Sequence, residues 1–189
     1  MYRSGGGSYL PFESGYQCSF SVSAISDFPF SEGPPKTIAV SDRSFLSGYN
    51  YISAFKSLNA LPYVLASIEA KRLGVDDLIL TNNDGNWIET CHSNLFYRIH
   101  DRWHSPPLSS GCIGGIMRKQ VIRCFHKHGV PFYWKNINSQ EALRIEEAFT
   151  CNSIRGVESI SKLMFEGTEH LLQIGEIPQM LRQKLLQAY

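Results

Sequence analysis

Neither a long apolar run nor an excess of one charge is present in this 189-residue chain. No stretch approaches the roughly 20 apolar residues of a membrane-spanning helix. The opening "MYRSGGGSYLPFESG" has no apolar core of the kind a signal peptide carries. Eighteen Lys and Arg stand against 17 Asp and Glu, a net charge of +1. That balance argues against nucleic acid and against a membrane surface as partner. No two of the five cysteines, Cys18, Cys91, Cys112, Cys124 and Cys151, have CxxC spacing. A disulfide framework and a zinc site are therefore not expected, and reduced thiols in a cytoplasmic protein are. The six histidines show no metal-ligand spacing: His126 and His128 are two apart in a helical stretch and share no face. There is no GxGxxG after a strand, no Walker sequence and no internal repeat.

What remains is a soluble composition, 43% hydrophobic and 19% charged, at a length that suits one domain. The first 45 residues or so are rich in Gly, Ser and Pro, and read as an extended arm or linker over 1–45. Within it "YQCSFSVSAI" alternates as a strand would. The ordered domain is expected over 46–189. Leu61, Leu65, Ile68 and Leu73 recur at helical spacing, so a helix is expected over about 59–73, with Gly74 as its stop. Strands and turns follow through "DDLILTNNDGNWIETCHSNLFYRIHDRWHSP". "GGIMRKQVIRCFHKHG" reads as a glycine-led helix, "VPFYWKNI" as a strand, and "NSQEALRIEEAF" as a helix capped by Ser139. "AFTCNSIRGVESI" reads as strand, turn, strand, and the C-terminal "EHLLQIGEIPQMLRQKLLQAY" as amphipathic helix. Hairpins mixed with helices predict a mixed α/β (α+β) fold rather than a regular Rossmann sheet.

Several residues suit chemistry. Gly111, Gly114 and Gly115 precede a helix. A helix N-terminus offers unpaired N–H groups and a favourable dipole to an anion, with phosphate the natural guest; a plain glycine-rich helix entry is the alternative. Glu89 interrupts a half-buried strand pattern. It is either exposed at an edge or buried with a proton donor, such as a protonated heterocyclic nitrogen. Asn152 and Ser153 sit at a turn, where they serve either the turn's own backbone or a second phosphate contact. Arg155 beside them is either a surface residue or a clamp for a substrate carboxylate. Lys56 lies just ahead of the first helix, after Tyr49, Tyr51 and Phe55.

Taken in order, "FKSLNALPYVLASIEAKRLG", "GNWIETCHSNLF", "PPLSSGCIGGIMR" and "EEAFTCNSIRGVESI" resemble the class IV aminotransferases, the fold-type IV pyridoxal-phosphate enzymes. The likeness covers roughly residues 45–163, and more loosely "RSGGGSYLP". It implies the large C-terminal domain of the D-amino-acid aminotransferase-like fold, with pyridoxal 5'-phosphate as cofactor. By that resemblance Lys56 matches the lysine that forms the Schiff base with the cofactor aldehyde. Glu89 matches the carboxylate on the protonated pyridine nitrogen. Gly115, Ile116 and Met117 match the helix entry whose backbone N–H groups hold the phosphate. Ser153, with Asn152 beside it, matches a further phosphate donor. Such a lysine must be neutral part of the time, and an apolar wall of Phe55 and the following helix would favour that.

"GGIMR", "FKSLN" and "TCNSIRG" resemble the 4-amino-4-deoxychorismate lyases of folate biosynthesis, which release pyruvate and leave 4-aminobenzoate. Transamination of branched-chain or D-amino acids is the competing reading. Branched-chain enzymes usually carry a tyrosine where Leu61 stands. The resemblance also implies a small-molecule amino substrate, a homodimer, and a smaller N-terminal domain that supplies an arginine to the phosphate. No residue here matches that arginine. The chain is accordingly expected to be a fragment, a shortened member, or a homologue that keeps the fold without catalysis.

Overall fold

The computed structural model describes residues 2–3, 16–22, 33–46, 53 and 55–186. Its strands are β1 (Tyr2–Arg3), β2 (Tyr16–Gln17), β3 (Lys36–Leu46), β4 (Asp77–Asn82), β5 (Trp87–Thr90), β6 (Asn94–Ile99), β7 (Arg102–Ser105), β8 (Phe132–Trp134), β9 (Glu147–Asn152), β10 (Gly156–Phe165) and β11 (Thr168–Leu171). Its helices are α1 (Leu61–Leu73), α2 (Ile116–Lys127), α3 (Ser139–Ala142) and α4 (Glu176–Leu186). β1 and β2 pair only with each other; the other nine strands form one sheet.

That sheet closes on itself. Pairing runs β10–β3–β4–β5–β6, and β9 joins β6 back to β10. Six strands thus make a ring, with β11 beyond β10 and β7 and β8 beyond β6. Both neighbours of β3, β10 and β4, are parallel to it, and α1 makes the crossover from β3 to β4. The interior holds Ile38, Val40, Ile79, Trp87, Leu95, Tyr97, Ile160 and Leu163. Outside, α1 covers Ala39, Leu78 and Leu80, while α2 and α4 cover an aromatic cluster. In that cluster Phe96 and Phe149, register partners on β6 and β9, stack at 4.9 Å. A pair of this kind contributes about 0.5–1.5 kcal/mol beyond its area.

The mixed α/β expectation holds, but residues 169–171, expected to open the C-terminal helix, belong to β11 and α4 begins only at Glu176, and three further details differ. First, the boundary expected at 45/46 falls at the end of β3. Its "IAV" is buried between two strands, so residues 36–45 belong to the sheet and not to an arm. Of the strand expected in "YQCSFSVSAI", Tyr16–Gln17 is a strand, 18–22 form no element, and the remainder lies outside the described residues. Second, α1 runs as expected and stops at Gly74, whose φ of 70° suits glycine. Its leucine-rich face, however, points outward: Leu61, Leu65, Ile68 and Leu73 are 47–62% exposed. Ala66 and Ala70 face the sheet instead. Small side chains let the helix lie close to β3 and β4. Third, the helix expected over "NSQEALRIEEAF" lasts four residues, and Asn138 rather than Ser139 caps it, accepting from the Gln140 and Glu141 amides. Glu147 onward is claimed by β9, which pairs on both sides.

Candidate functional site

Glu89 owes its direction to a bulge. Thr81 pairs with Trp87 and Leu80 with Glu89, so β5 carries one extra residue there. Regular alternation would give Glu89 the same face as Trp87, inside the ring. The bulge turns it outward instead, to the side where α1 and α2 pack. There it is 3% exposed and accepts three hydrogen bonds. The Tyr63 hydroxyl donates to Oε1 at 2.8 Å. Asn94 Nδ2 and the Ile113 amide donate to Oε2 at 3.0 and 3.1 Å. Burial pushes the carboxyl up to about 7, against the pull of the Tyr63 and Ile113 bonds and of the Arg118 and Lys56 charges. Burial, together with the Glu89 carboxylate, also drives the Tyr63 phenol upward, so it stays a donor.

Asn94 binds this carboxylate to the glycine-led helix. Its second Nδ2 hydrogen reaches the Ile113 carbonyl at 2.8 Å. Two residues on, Gly115 ends the loop with no side chain capping α2. The first turn of α2 therefore presents amides with no intrahelical acceptor, at Ile116, Met117 and Arg118. Met117 packs its side chain into the aromatic cluster and anchors that turn, whereas Ile116 is 66% exposed. Arg118 is buried, donates from Nη2 to the Pro106 carbonyl at 2.6 Å, and lies 4.5 Å over the Trp134 ring. The loop from Pro106 to Gly115 is thus tied at both ends.

Gly115 is needed for space, not for backbone freedom. Its φ of −57° is open to any residue, but an added Cβ would collide with the Asn94 carboxamide oxygen. At Gly114 a Cβ would meet only the Leu108 side chain, at 3.6 Å. Gly115→Val is expected to cost about 1–3 kcal/mol through displacement of Asn94, and Gly114→Ala much less. Urea-unfolding midpoints of the two variants check this; equal midpoints would remove the spatial argument.

The turn after β9 stands at the same end. Cys151 is the register partner of Asn94, and Asn152 Nδ2 donates to Ser93 Oγ at 2.9 Å. Asn152 Oδ1 accepts the Ile154 and Arg155 amides at 2.9 and 2.7 Å, so its oxygen serves the turn itself. Ser153 is exposed. The Arg155 guanidinium is 3.7 Å from Glu158 and 65% exposed. Lys56 is exposed too, and Phe55 beside it is 58% exposed. The apolar wall expected around Lys56 is therefore not built by the described residues. A cavity of about 400 Å³ opens elsewhere, lined among others by Asp42, Thr81, Asp84, Ser139 and Glu166, and by none of Lys56, Glu89, Gly115, Ile116, Met117, Asn152, Ser153 and Arg155.

The structure gathers Glu89 and Gly115 around Asn94, with Asn152 bonded to the adjacent Ser93 and the charge of Lys56 felt at Glu89. Tyr63, Asn94, Ile113 and Arg118 escaped the sequence reading. The one signal for them was Asn94 in "SNLF", a polar residue opening an apolar strand. A buried carboxylate with an acceptor position to spare, and an uncapped helix entry cleared by a glycine, fit the ring nitrogen and the phosphate of pyridoxal 5'-phosphate.

A family model, amino-transferase class IV, matches residues 1–163. The chain belongs to the class IV aminotransferases. Aminodeoxychorismate lyase of Vibrio harveyi is 25% identical over 134 residues, covering 71% of this chain and 49% of that protein. Branched-chain-amino-acid aminotransferase 1, mitochondrial, of Arabidopsis thaliana is 25% identical over 148 residues, 76% of this chain and 38% of that protein. This family member thus spans less than half the length of either relative. Its fold is shared with solved members. The crystal structure of branched-chain aminotransferase from the thermophilic archaeon Thermoproteus uzoniensis, with norvaline, matches 86% of this chain and 54% of that one, at a TM-score of 0.75 and 24% identity. No described helix is long and apolar enough to cross a membrane.

Proposed function

We propose that the chain is the large domain of a pyridoxal-phosphate enzyme that cleaves 4-amino-4-deoxychorismate to 4-aminobenzoate and pyruvate. One observation carries the cofactor reading: Glu89 is a buried carboxylate turned toward the face where an uncapped helix N-terminus stands. The cofactor, when bound, supplies a ring that accepts electrons from a carbon bearing the substrate amine. Glu89 keeps the ring nitrogen protonated. The Ile116 and Met117 amides hold the phosphate, with Ser153 at the neighbouring turn. Lys56 Nζ would be the amine that holds the aldehyde and the base that takes the substrate proton. "GGIMR" and the Vibrio relative favour the lyase.

The Arabidopsis relative, at the same identity, favours the second reading, transamination of an amino acid. Incubating the chain, loaded with pyridoxal 5'-phosphate, with each substrate separates the two. Release of 4-aminobenzoate supports the lyase; a keto acid without 4-aminobenzoate overturns it. The proposal includes a homodimer, supported by the outward Leu61, Leu65 and Ile68 of α1. Sedimentation velocity is expected to give twice the chain mass, and a monomer at micromolar concentration would remove this part.

A further inference from the structure

Glu89 has a near-complete set of protein donors before any ligand arrives. A carboxylate oxygen has two lone-pair positions. On Oε2 both are filled, by Asn94 Nδ2 and the Ile113 amide. On Oε1 one is filled, by the Tyr63 hydroxyl. Among the described residues a single acceptor position is left, on the oxygen that faces α1. Tyr63 is held where it stands. Pro62 stands in the first turn of the helix, the Val64 amide bonds the Ala60 carbonyl at 3.0 Å, and Ser67 Oγ bonds the Tyr63 carbonyl at 2.7 Å. Tyr63 lies seven positions after Lys56, two beyond Leu61.

We propose that Tyr63 is a positioning residue for the ring nitrogen, its hydroxyl holding the Glu89 carboxylate so that the one free lone pair of Oε1 meets a protonated heterocyclic N–H. This rests on the cofactor reading above. The phenol and the ring nitrogen share Oε1 as two donors to one oxygen. The phenol does no proton chemistry, because burial and Glu89 keep it protonated. It fixes the carboxylate's rotation from the α1 side, as Asn94 and Ile113 fix it from the other.

The test uses two probes, pyridoxal 5'-phosphate and its 1-deaza analogue, in which a C–H replaces the ring nitrogen. Their dissociation constants are measured by quenching of tryptophan fluorescence in the wild-type chain and in Tyr63→Phe. Loss of one hydrogen bond to a charged acceptor is expected to weaken pyridoxal 5'-phosphate about ten-fold. The 1-deaza analogue is expected to bind both proteins alike. A purely structural role for Tyr63 would weaken both probes together and overturn the proposal. Tighter binding of pyridoxal 5'-phosphate to Tyr63→Phe would also overturn it, since the phenol would then be competing with the ring. A wild-type chain that binds neither probe would overturn the cofactor reading, and this proposal with it. A second readout needs no cofactor. Carbon-13 NMR of the unloaded chain follows the Glu89 carboxyl, whose midpoint near pH 7 is expected to move up in Tyr63→Phe. An unmoved midpoint would overturn the proposal.

Discussion

Lys56→Ala is expected to lower turnover of the accepted amine by at least about 10³-fold while leaving the fold intact. Two functions rest on one Nζ: the covalent bond to the cofactor and the proton transfer that follows. General-base removal alone typically costs about 10²–10⁴-fold. Among the described residues no second amine stands in: the other cation whose field reaches Glu89 there is Arg118, a buried guanidinium already bonded to Pro106 and stacked on Trp134. A guanidinium stays protonated and is no nucleophile. Folding should be indifferent to the change. Lys56 is exposed and lies outside any helix or strand, and such substitutions stay within about 0.5 kcal/mol. Absorbance of the cofactor-loaded chain, product release and a thermal melt together check this. Retention of more than about a tenth of wild-type turnover would take the role away from Lys56.

How much of this was legible beforehand depended on whether a residue's role is local or tertiary. Glu89 was legible because a carboxylate inside an apolar strand is anomalous wherever the strand ends up. Gly115 and the helix behind it were legible because glycine before a periodic apolar run is a local signal. Tyr63 was not. On the sequence it is one aromatic in a helix, and its partner Glu89 lies 26 residues away. Asn94 was half legible, since its spacing from Glu89 is short but its grip on Ile113 depends on how the 106–115 loop folds back. β3 was hidden by composition. Its "IAV" core is short and set among Ser, Gly and Pro, yet two parallel neighbours bury it. The length of α1 is legible and the side it turns inward is not, because periodicity locates an apolar face without saying what covers it. Over 143–149 the sequence predicts helix from Glu, Ala and Leu, good helix formers. Pairing of β9 with both β6 and β10 outweighed that preference.

Glu89→Gln is expected to make the chain more stable and less able to bind cofactor. The stability effect follows from the carboxyl's rise from 4.5 to about 7. Between those values the native state holds a proton that the unfolded chain has lost. Wild-type stability therefore falls as pH rises through that window, and the loss is complete above it. The difference is on the order of 3 kcal/mol at pH 8, since one pKa unit is about 1.4 kcal/mol. Glutamine does not ionise, so the variant should lack this slope and melt higher than wild type at pH 8, with little difference at pH 4.5. The binding effect follows from the donors. Asn94 Nδ2 and the Ile113 amide require an oxygen at the Oε2 position. That turns the glutamine NH₂ toward Tyr63, whose hydroxyl can rotate to accept it. The side chain is then satisfied within the protein but offers a donor to the face where the ring nitrogen needs an acceptor. Two donors facing each other in a site shielded from water should weaken pyridoxal 5'-phosphate about 10²-fold or more. Melting temperatures at pH 4.5 and 8, with cofactor affinity at pH 8, test both halves. Parallel pH profiles for the two proteins would show that Glu89 is ionised without penalty. Unchanged affinity would show that the carboxylate does not receive the ring. Opposite shifts in stability and affinity from one substitution would mark Glu89 as a charge kept buried for its ligand.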